Sequence, residues 1–288
     1  MHLKFLNTEL NEPWLALKQP QVRQLAFCIG SPNILQSIPA DLNLHFSFQF
    51  HDNKIWEDHI KTYWPRLQYL DQHPEALLNF LQKLKSTRLG LRFEMFIWFW
   101  LLDHAYHPYE LLGHSIQKID GRKTVGELDF VLRNTATAEI EHWEVALKYY
   151  LAEGDFSLPY WYGLNRSDTL SRKLNHFTQK QFQFEDALGQ NIQRRFCILK
   201  GQLYLPEFSL RSPLPDWVNP ARRIGHWGQY IPSGSEHYYR LQRHEWICPQ
   251  EFSSSEDATW WTDGLYKQVN DERYYMFRQA SLLTFPFF

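Results

Sequence analysis

A change in hydrophobic periodicity at Pro108 places the strongest constraint on how this chain folds. Before it, residues 91–104 (LRFEMFIWFWLLDH) are apolar nearly all round, which is typical of a buried helix. After it, apolar residues alternate through residues 109–119, 123–133 and 140–151, which predicts three successive strands joined by short turns. The central part of the chain therefore predicts a helix followed by a three-stranded sheet.

The segments around this core predict further helices. Residues 13–29 predict short helical pieces broken at Pro20, and Pro74 followed by EALLNFLQKLK predicts a helix with proline in its first turn. Residues 168–184 predict a helix after the three strands, with Asp168 as its N-cap.

The last third of the chain has weaker periodicity. A hairpin that turns at Lys200-Gly201 is predicted for residues 195–205, and one helix is predicted near residues 260–269. The order of helix, strands, helix and strands predicts an α/β (α+β) fold around one mixed central sheet. We predict a helical N-terminal region, a core and a smaller C-terminal extension packed on the core, at residues 1–85, 86–205 and 206–288.

Composition excludes several classes of protein. The chain is 44% hydrophobic and 22% charged, so it can bury a core and is not disordered by composition. A net charge of −2 provides no global basic field, so any nucleic-acid site must be a local patch. Three scattered cysteines argue against a disulfide framework or a cysteine-based zinc site. Without a signal-peptide pattern or a long apolar stretch, we expect a cytoplasmic protein with no membrane partner.

Charged residues gather on one face of the predicted strands. Because side chains alternate along a strand, Glu127 and Asp129 share a face of the second strand. Glu144 and Lys148 likewise share a face of the third. If the two strands pair, these faces coincide, and Glu94 on the preceding helix is a candidate for a further ligand. Such a patch suits metal-assisted phosphodiester hydrolysis, because Mg²⁺ and Mn²⁺ prefer carboxylate oxygens.

An ordinary solvated strand face is the alternative interpretation of these residues. A cross-strand ion pair on such a face contributes little stability, and Asp129 or Lys148 alone would favour this interpretation. The order of helix and strands around the two residues is what favours a role in metal binding.

Four segments carry a resemblance to known families: RFEMFIWFWL, GELDFVL, HWEVALKYYL and DTLSRKLNHFTQKQ. They look like an uncharacterised bacterial family, domain of unknown function 1853, and GELDFV is similar to a strand of resolvase-like members of the PD-(D/E)XK nuclease superfamily. The resemblance spans roughly residues 85–185 and implies a restriction-endonuclease-like nuclease core. It implies Asp129 as the central metal ligand, Lys148 as the catalytic lysine, and further Mg²⁺ or Mn²⁺ ligands among Glu94, Glu127 and Glu144.

One position departs from the superfamily pattern of acid, any residue, lysine. The residue two before Lys148 is Ala146, and the acid on that face, Glu144, lies four before. Four residues of a strand span about 13 Å, roughly twice the distance in the pattern. Three explanations are open: a β-bulge shortens the gap, Glu127 or Glu94 replaces the missing ligand, or the site has lost its activity.

The predicted helix after the strands supplies groups that suit a phosphate backbone. The candidates are Arg166, Arg172, Lys173 and Gln179. We therefore expect a metal-dependent nuclease that contacts DNA or RNA through a local patch. A non-catalytic module that binds nucleic acid or protein is the alternative, and a structural subunit with an aromatic surface is a third hypothesis.

Overall fold

A computed structural model describes residues 10–207, 213–249, 260–269, 271 and 273–278. After a short 3₁₀ helix, its α-helices are α1 Pro20–Gly30, α2 Asn53–Gln72, α3 Glu75–Leu81, α4 Leu89–Leu102 and α5 Leu170–His176. Its strands are β1 Tyr109–Asp120, β2 Lys123–Asn134, β3 Ile140–Ala152, β4 Trp161–Tyr162, β5 Asp186–Ala187, β6 Gln190–Asn191, β7 Arg194–Pro206, β8 Ile224–Gly228, β9 Tyr238–Arg240, β10 Gly264–Gln268 and β11 Tyr274–Phe277.

One mixed sheet organises the described part of the chain. Its strand order is β1-β2-β3-β7-β8-β11-β10-β9, with β4 added to β3, while β5 and β6 form a separate small hairpin. The pairs β3–β7, β7–β8 and β8–β11 are parallel, and the remaining pairs of this sheet are antiparallel. The predicted mixed α/β fold around a central sheet is confirmed.

Both faces of the central strands are covered. Trp143 and Leu147 of β3 pack with helices α1 to α4 in one apolar cluster. On the other face, Ala146 and Tyr150 pack with α5 in a second cluster. Because β3 is buried on both faces, any charged side chain that it carries must find partners inside the protein.

Helix α4 and strands β1 to β3 lie where the periodicity predicts them. Helix α4 is buried along most of its length, with Glu94 half-buried in its first half. The pattern does not predict α2. Its buried residues recur at helical spacing, and Pro65 lies inside the helix. In the described part of the chain, no helix is both long enough and apolar enough to cross a membrane.

The hairpin predicted at Lys200-Gly201 is wrong, because residues Arg194–Pro206 form one continuous strand, β7. Gly201 has a φ of +125°, and a Cβ at this position would overlap the carbonyl oxygen of Lys148. Glycine therefore permits close contact between β7 and β3, and it does not mark a turn here. The Lys200 ammonium is buried, where it donates to the Ser31 carbonyl and lies 3.3 Å from the centre of the Trp56 ring.

The helix predicted for residues 260–269 is also wrong, because Gly264–Gln268 form strand β10. Neighbouring residues Leu265 and Tyr266 pack in different apolar clusters, as alternating side chains of a strand do. Strands β8 to β11 all join the sheet that contains β3. The described strands after residue 206 therefore continue the central sheet. The boundaries at residues 85/86 and 205/206 stay a prediction.

Two histidines are buried in an aromatic cluster beside the sheet. His51 stacks on Phe196 with ring centroids 3.9 Å apart, and its edge contacts include Trp143. Neither ring nitrogen of His51 has a hydrogen-bond partner among the described residues. Burial lowers the pKa of His51 to about 3, and it lowers the pKa of His59 to about 3 as well. The cluster therefore holds both rings in the neutral form.

Substituting Gly201→Ala should lower the free energy of unfolding by more than about 1 kcal/mol, because the new methyl group collides with the backbone of β3. Gly90→Ala is the matched control, since a Cβ there meets no atom within 4 Å and alanine favours the helix. Urea denaturation of both variants measures the difference. Equal stability of the Gly201 variant and the wild type would contradict the close contact between β3 and β7.

Substituting His51→Phe should make stability less sensitive to acid. The folded-state pKa of His51 is about 3, below the unfolded value near 6.5. Its neutral form is therefore favoured by folding, and this contribution is complete above pH 6.5 and is lost as the pH falls toward 3. Below pH 6, the free energy of unfolding should fall with decreasing pH less steeply in the variant than in the wild type, by up to about 1.4 kcal/mol per pH unit. Denaturation midpoints from pH 7.5 to 4.5 measure it, and the exposed His237→Phe variant should retain the wild-type dependence.

Candidate functional site

Strands β2 and β3 separate at Asp129 and Glu144. The ladder between them pairs Phe130–Arg133 of β2 with Ile140–Trp143 of β3. Before Phe130, β2 is paired with β1, and after Trp143, β3 is paired with β7. At the separation, the Val145 N–H donates to Asp129 Oδ2 at 2.8 Å. In return, the Asp129 N–H donates to Glu144 Oε1 at 3.4 Å. Two carboxyl groups therefore replace the ladder hydrogen bonds between the strands, and this brings them together.

Glu144 is fully buried, and neighbouring side chains contact both of its oxygens. His142 Nε2 lies 2.7 Å from Oε1, and the Gln181 side-chain amide donates to Oε2. Burial lowers the pKa of His142 to about 3, so the ring is neutral. The alternative interpretation, an ordinary solvated strand face, therefore does not apply to the residues of β3 that α5 and its neighbours cover, namely His142, Glu144, Ala146 and Tyr150.

The electrostatics of the pair follow from its burial. Burial raises the pKa of Glu144 to about 8, while the Lys173 ammonium opposes this shift. Burial and then the Glu144 carboxylate raise the pKa of Asp129 well above its usual value. Burial also lowers the pKa of Lys173, and the Glu144 carboxylate opposes that shift. When both carboxyl groups ionise, the excess negative charge favours an additional cation at this position.

A helical irregularity brings Gln181 to Glu144. Helix α5 is followed at Phe177–Gln181 by a π-helical turn. The turn holds Phe177 and Phe182 in the core while Gln181 reaches the carboxylate, and its Oε1 accepts from Lys173 Nζ at 3.0 Å. Single π-helical turns are frequent at functional sites, because the extra residue redirects side chains.

The start of this helix also differs from the prediction. The N-cap of α5 is Thr169, whose hydroxyl accepts from the Arg172 N–H at 3.1 Å. Asp168, predicted as the N-cap, instead accepts from Lys148 Nζ at 2.7 Å and from the Tyr150 hydroxyl at 3.4 Å. Lys148 is therefore held in an ion pair with Asp168, just before the start of α5.

Glu94 lies close to the pair but is engaged with β1. Its Oε1 is 2.8 Å from His114 Nε2 and accepts from the Ser115 hydroxyl at 3.2 Å. The Glu94 charge contributes to the raised pKa of Asp129, after burial and Glu144. Ser115 has a φ of +49°, a strained backbone conformation that occurs preferentially at functional sites.

The structure brings together only part of the predicted metal site. Asp129 and Glu144 meet, and Glu94 is near enough to affect the pKa of Asp129. Glu127 is exposed on β2, opposite Gln117 of β1. Within the described ranges, no group of three or more His, Cys, Asp and Glu side chains is arranged to hold a metal ion. The protein therefore offers two converging carboxyl groups at this position.

Three of the four predicted nucleic-acid contacts line one open groove along α5 and the π-helical turn. They are Arg172, Lys173 and Gln179, and the groove has a volume of about 490 Å³. Arg166 lies outside the groove lining, because both of its terminal nitrogens donate to the Glu153 carboxylate at 2.6 and 3.0 Å. This groove leads to the carboxyl pair through Lys173, which contacts Gln181.

Four residues of the site are absent from the sequence prediction: His114, Ser115, His142 and Gln181. His142 precedes Glu144 on the same face of its strand, so the alternation of side chains could have indicated it. His114 and Ser115 are polar residues in a strand with other polar residues, so the pattern does not single them out. The contact of Gln181 depends on the π-helical turn, for which the sequence offers no comparable signal.

Comparison with protein families identifies the chain. A family model described as "Domain of unknown function (DUF1853)" matches residues 23–284, which is most of the chain, and the protein belongs to this family. Searches of curated proteins and of solved structures found no match.

Proposed function

We propose that this protein is a metal-dependent nuclease that hydrolyses phosphodiester bonds of DNA or RNA. The observation that carries the proposal is the meeting of Asp129 and Glu144 at the point where β2 and β3 separate, with Lys173 linked to Glu144 through Gln181. Two carboxyl groups and a lysine from three separate elements are the groups needed to hold a cation and stabilise an anionic transition state.

The order of elements supports a restriction-endonuclease-like core. A glutamate-bearing helix, α4, precedes three antiparallel strands, and α5 then leads to β7, which returns parallel to β3. This is the sequence of helix, strands, helix and strand that the resemblance to PD-(D/E)XK nucleases led us to expect. The acids also lie on the elements that the resemblance implies, with Glu94 on the helix, Asp129 on β2 and Glu144 on β3.

The donor groups suit Mg²⁺ or Mn²⁺. Magnesium commonly binds through one or two protein carboxylates, and water and substrate phosphates complete its coordination. Asp129 and Glu144 supply two such carboxylates, so a third protein ligand is not required. When bound, the ion supplies polarisation of the scissile phosphate and a lower pKa for an attacking water.

Lysine is the second part of the proposed mechanism. Lys148 is the residue that the superfamily pattern implies, but its ammonium is paired with Asp168. Lys173 donates to Gln181, and the Gln181 amide donates to Glu144, so this lysine is linked to the carboxyl pair by side-chain contacts. We therefore propose that Lys173 orients the water or stabilises the anionic phosphate, and that Lys148 fixes the loop before α5 through Asp168.

A non-catalytic binding module is the second candidate. Ala146 occupies the position of the second acid in the superfamily pattern and packs in the apolar cluster beneath α5. The Gln181 amide also binds the oxygen of Glu144 that a metal ion would need. These two contacts favour a protein that keeps the fold and binds nucleic acid without cutting it.

Calorimetric titration with Mn²⁺ tests the metal site. The wild type should bind, and Asp129→Asn should bind at least about tenfold more weakly, because an amide replaces a charged ligand. Glu127→Gln is the matched control, since it removes an exposed carboxylate from the same strand and should leave binding unchanged. Equal affinity of the wild type and the Asp129 variant would place the ion elsewhere and remove the proposed centre.

Cleavage assays with labelled DNA and RNA in Mn²⁺ test the role of lysine. Lys173→Met should reduce the rate of cleavage by about 100-fold or more, as expected when a group that acts on the transition state is removed. Lys148→Met should have a smaller effect, because it breaks an ion pair outside the carboxyl pair. The reverse order of the two effects would restore Lys148 to the role that the sequence pattern implies. No cleavage by the wild type would favour the binding module.

A further inference from the structure

The groove along α5 and the π-helical turn carries a row of basic side chains that the carboxyl pair does not use. Arg172, His176 and Lys180 recur every four residues, and all three side chains are exposed. Positions four apart lie on one face of a helix, so the three groups follow one another over about 12 Å. The row is therefore linear and parallel to the groove.

Within the described part of the chain, these basic side chains have no compensating acids. Among the described residues, no carboxylate forms an ion pair with Arg172, His176 or Lys180. The acid in the groove, Asp168, is paired with Lys148. The pKa of His176 is lowered first by partial burial and then by Lys173, Lys180 and Arg172. The groove thus concentrates positive charge on a chain whose net charge is −2.

Neutral donors accompany the cations. The Asn175 and Gln179 side chains line the same groove between the charged residues. Arg172 uses one guanidinium nitrogen on the Ser167 carbonyl at 3.0 Å, and its other N–H groups are available for a ligand. Amides and guanidinium groups of this kind are common partners of phosphate oxygens.

Two side-chain contacts link the groove to the carboxyl pair. Lys173 lines the groove and contacts Gln181, and Gln181 contacts Glu144. A polyanion that lies along the row therefore passes Lys173, the groove residue that is linked to Glu144 through Gln181. One strand of a nucleic acid carries a phosphate about every 3.4 Å of helix axis, so a row of about 12 Å spans three or four phosphates.

We propose that Arg172, His176 and Lys180 form a binding site for the sugar–phosphate backbone of one nucleic-acid strand, on one side of the carboxyl pair. This inference rests on the proposed function, because it assigns the substrate strand a path to the same site. Binding does not require cleavage, so the two can be tested apart.

Fluorescence anisotropy in EDTA tests the site, with a labelled DNA of about 20 nucleotides as single strand and as duplex. The Arg172→Ala/Lys180→Ala variant removes two phosphate contacts. The slope of log affinity against log salt concentration is negative, and its magnitude should be smaller in this variant by about 1.4 for the single strand or about 1.8 for the duplex. Affinity should fall about tenfold at a fixed salt concentration. Lys85→Ala/Arg88→Ala is the matched control, because it removes the same charges from exposed positions outside the groove.

The outcomes separate this inference from the proposed function. A reduced salt slope in the groove variant alone supports the site, whether or not the wild type cleaves DNA in Mn²⁺. Equal slopes for the groove variant, the control variant and the wild type would overturn it, even if cleavage is observed. No binding of either DNA by the wild type would also overturn it. Competition by polyglutamate as strong as competition by DNA would assign the groove to an acidic protein partner and overturn it as well.

Discussion

The parallel pairing of β3 with β7 is the interaction on which the candidate site depends. It places β3 inside the sheet, with the α1 to α4 helices on one face and α5 on the other. Glu144 lies on this strand, so its carboxyl group is removed from water and must be satisfied by protein groups. The raised pKa of Glu144 and its contacts with His142 and Gln181 all follow from that position.

The separation of β2 from β3 then creates the site. Where the ladder between them ends, the carboxyl groups of Asp129 and Glu144 accept the backbone N–H groups that the opposite strand would otherwise satisfy. The same separation admits the π-helical turn with Gln181, and with it Lys173. A single break in one strand pair thus gathers groups from β2, β3 and α5. A carboxyl pair of this kind is costly to bury, and a function that uses it is a physical reason for its presence.

Much of the fold could be predicted because its signals are local. The apolar α4, the alternation of β1 to β3 and the proline at the start of α1 each depend on neighbouring residues. The errors lie where a distant contact decides the structure. Gly201 appears as a turn until the backbone of β3 is packed against it, and β10 is a strand because it pairs with β9 and β11.

By itself, the sequence determined which acids and cations lie on each element, since strand and helix periodicity assign side chains to faces. Asp129 and Glu144 are candidates on that basis alone. Only the tertiary structure decided which of these groups meet. Lys173 rather than Lys148 lies at the carboxyl pair, and Glu127 remains at the surface, because the end of the β2–β3 ladder and the π-helical turn depend on packing between residues far apart in the chain.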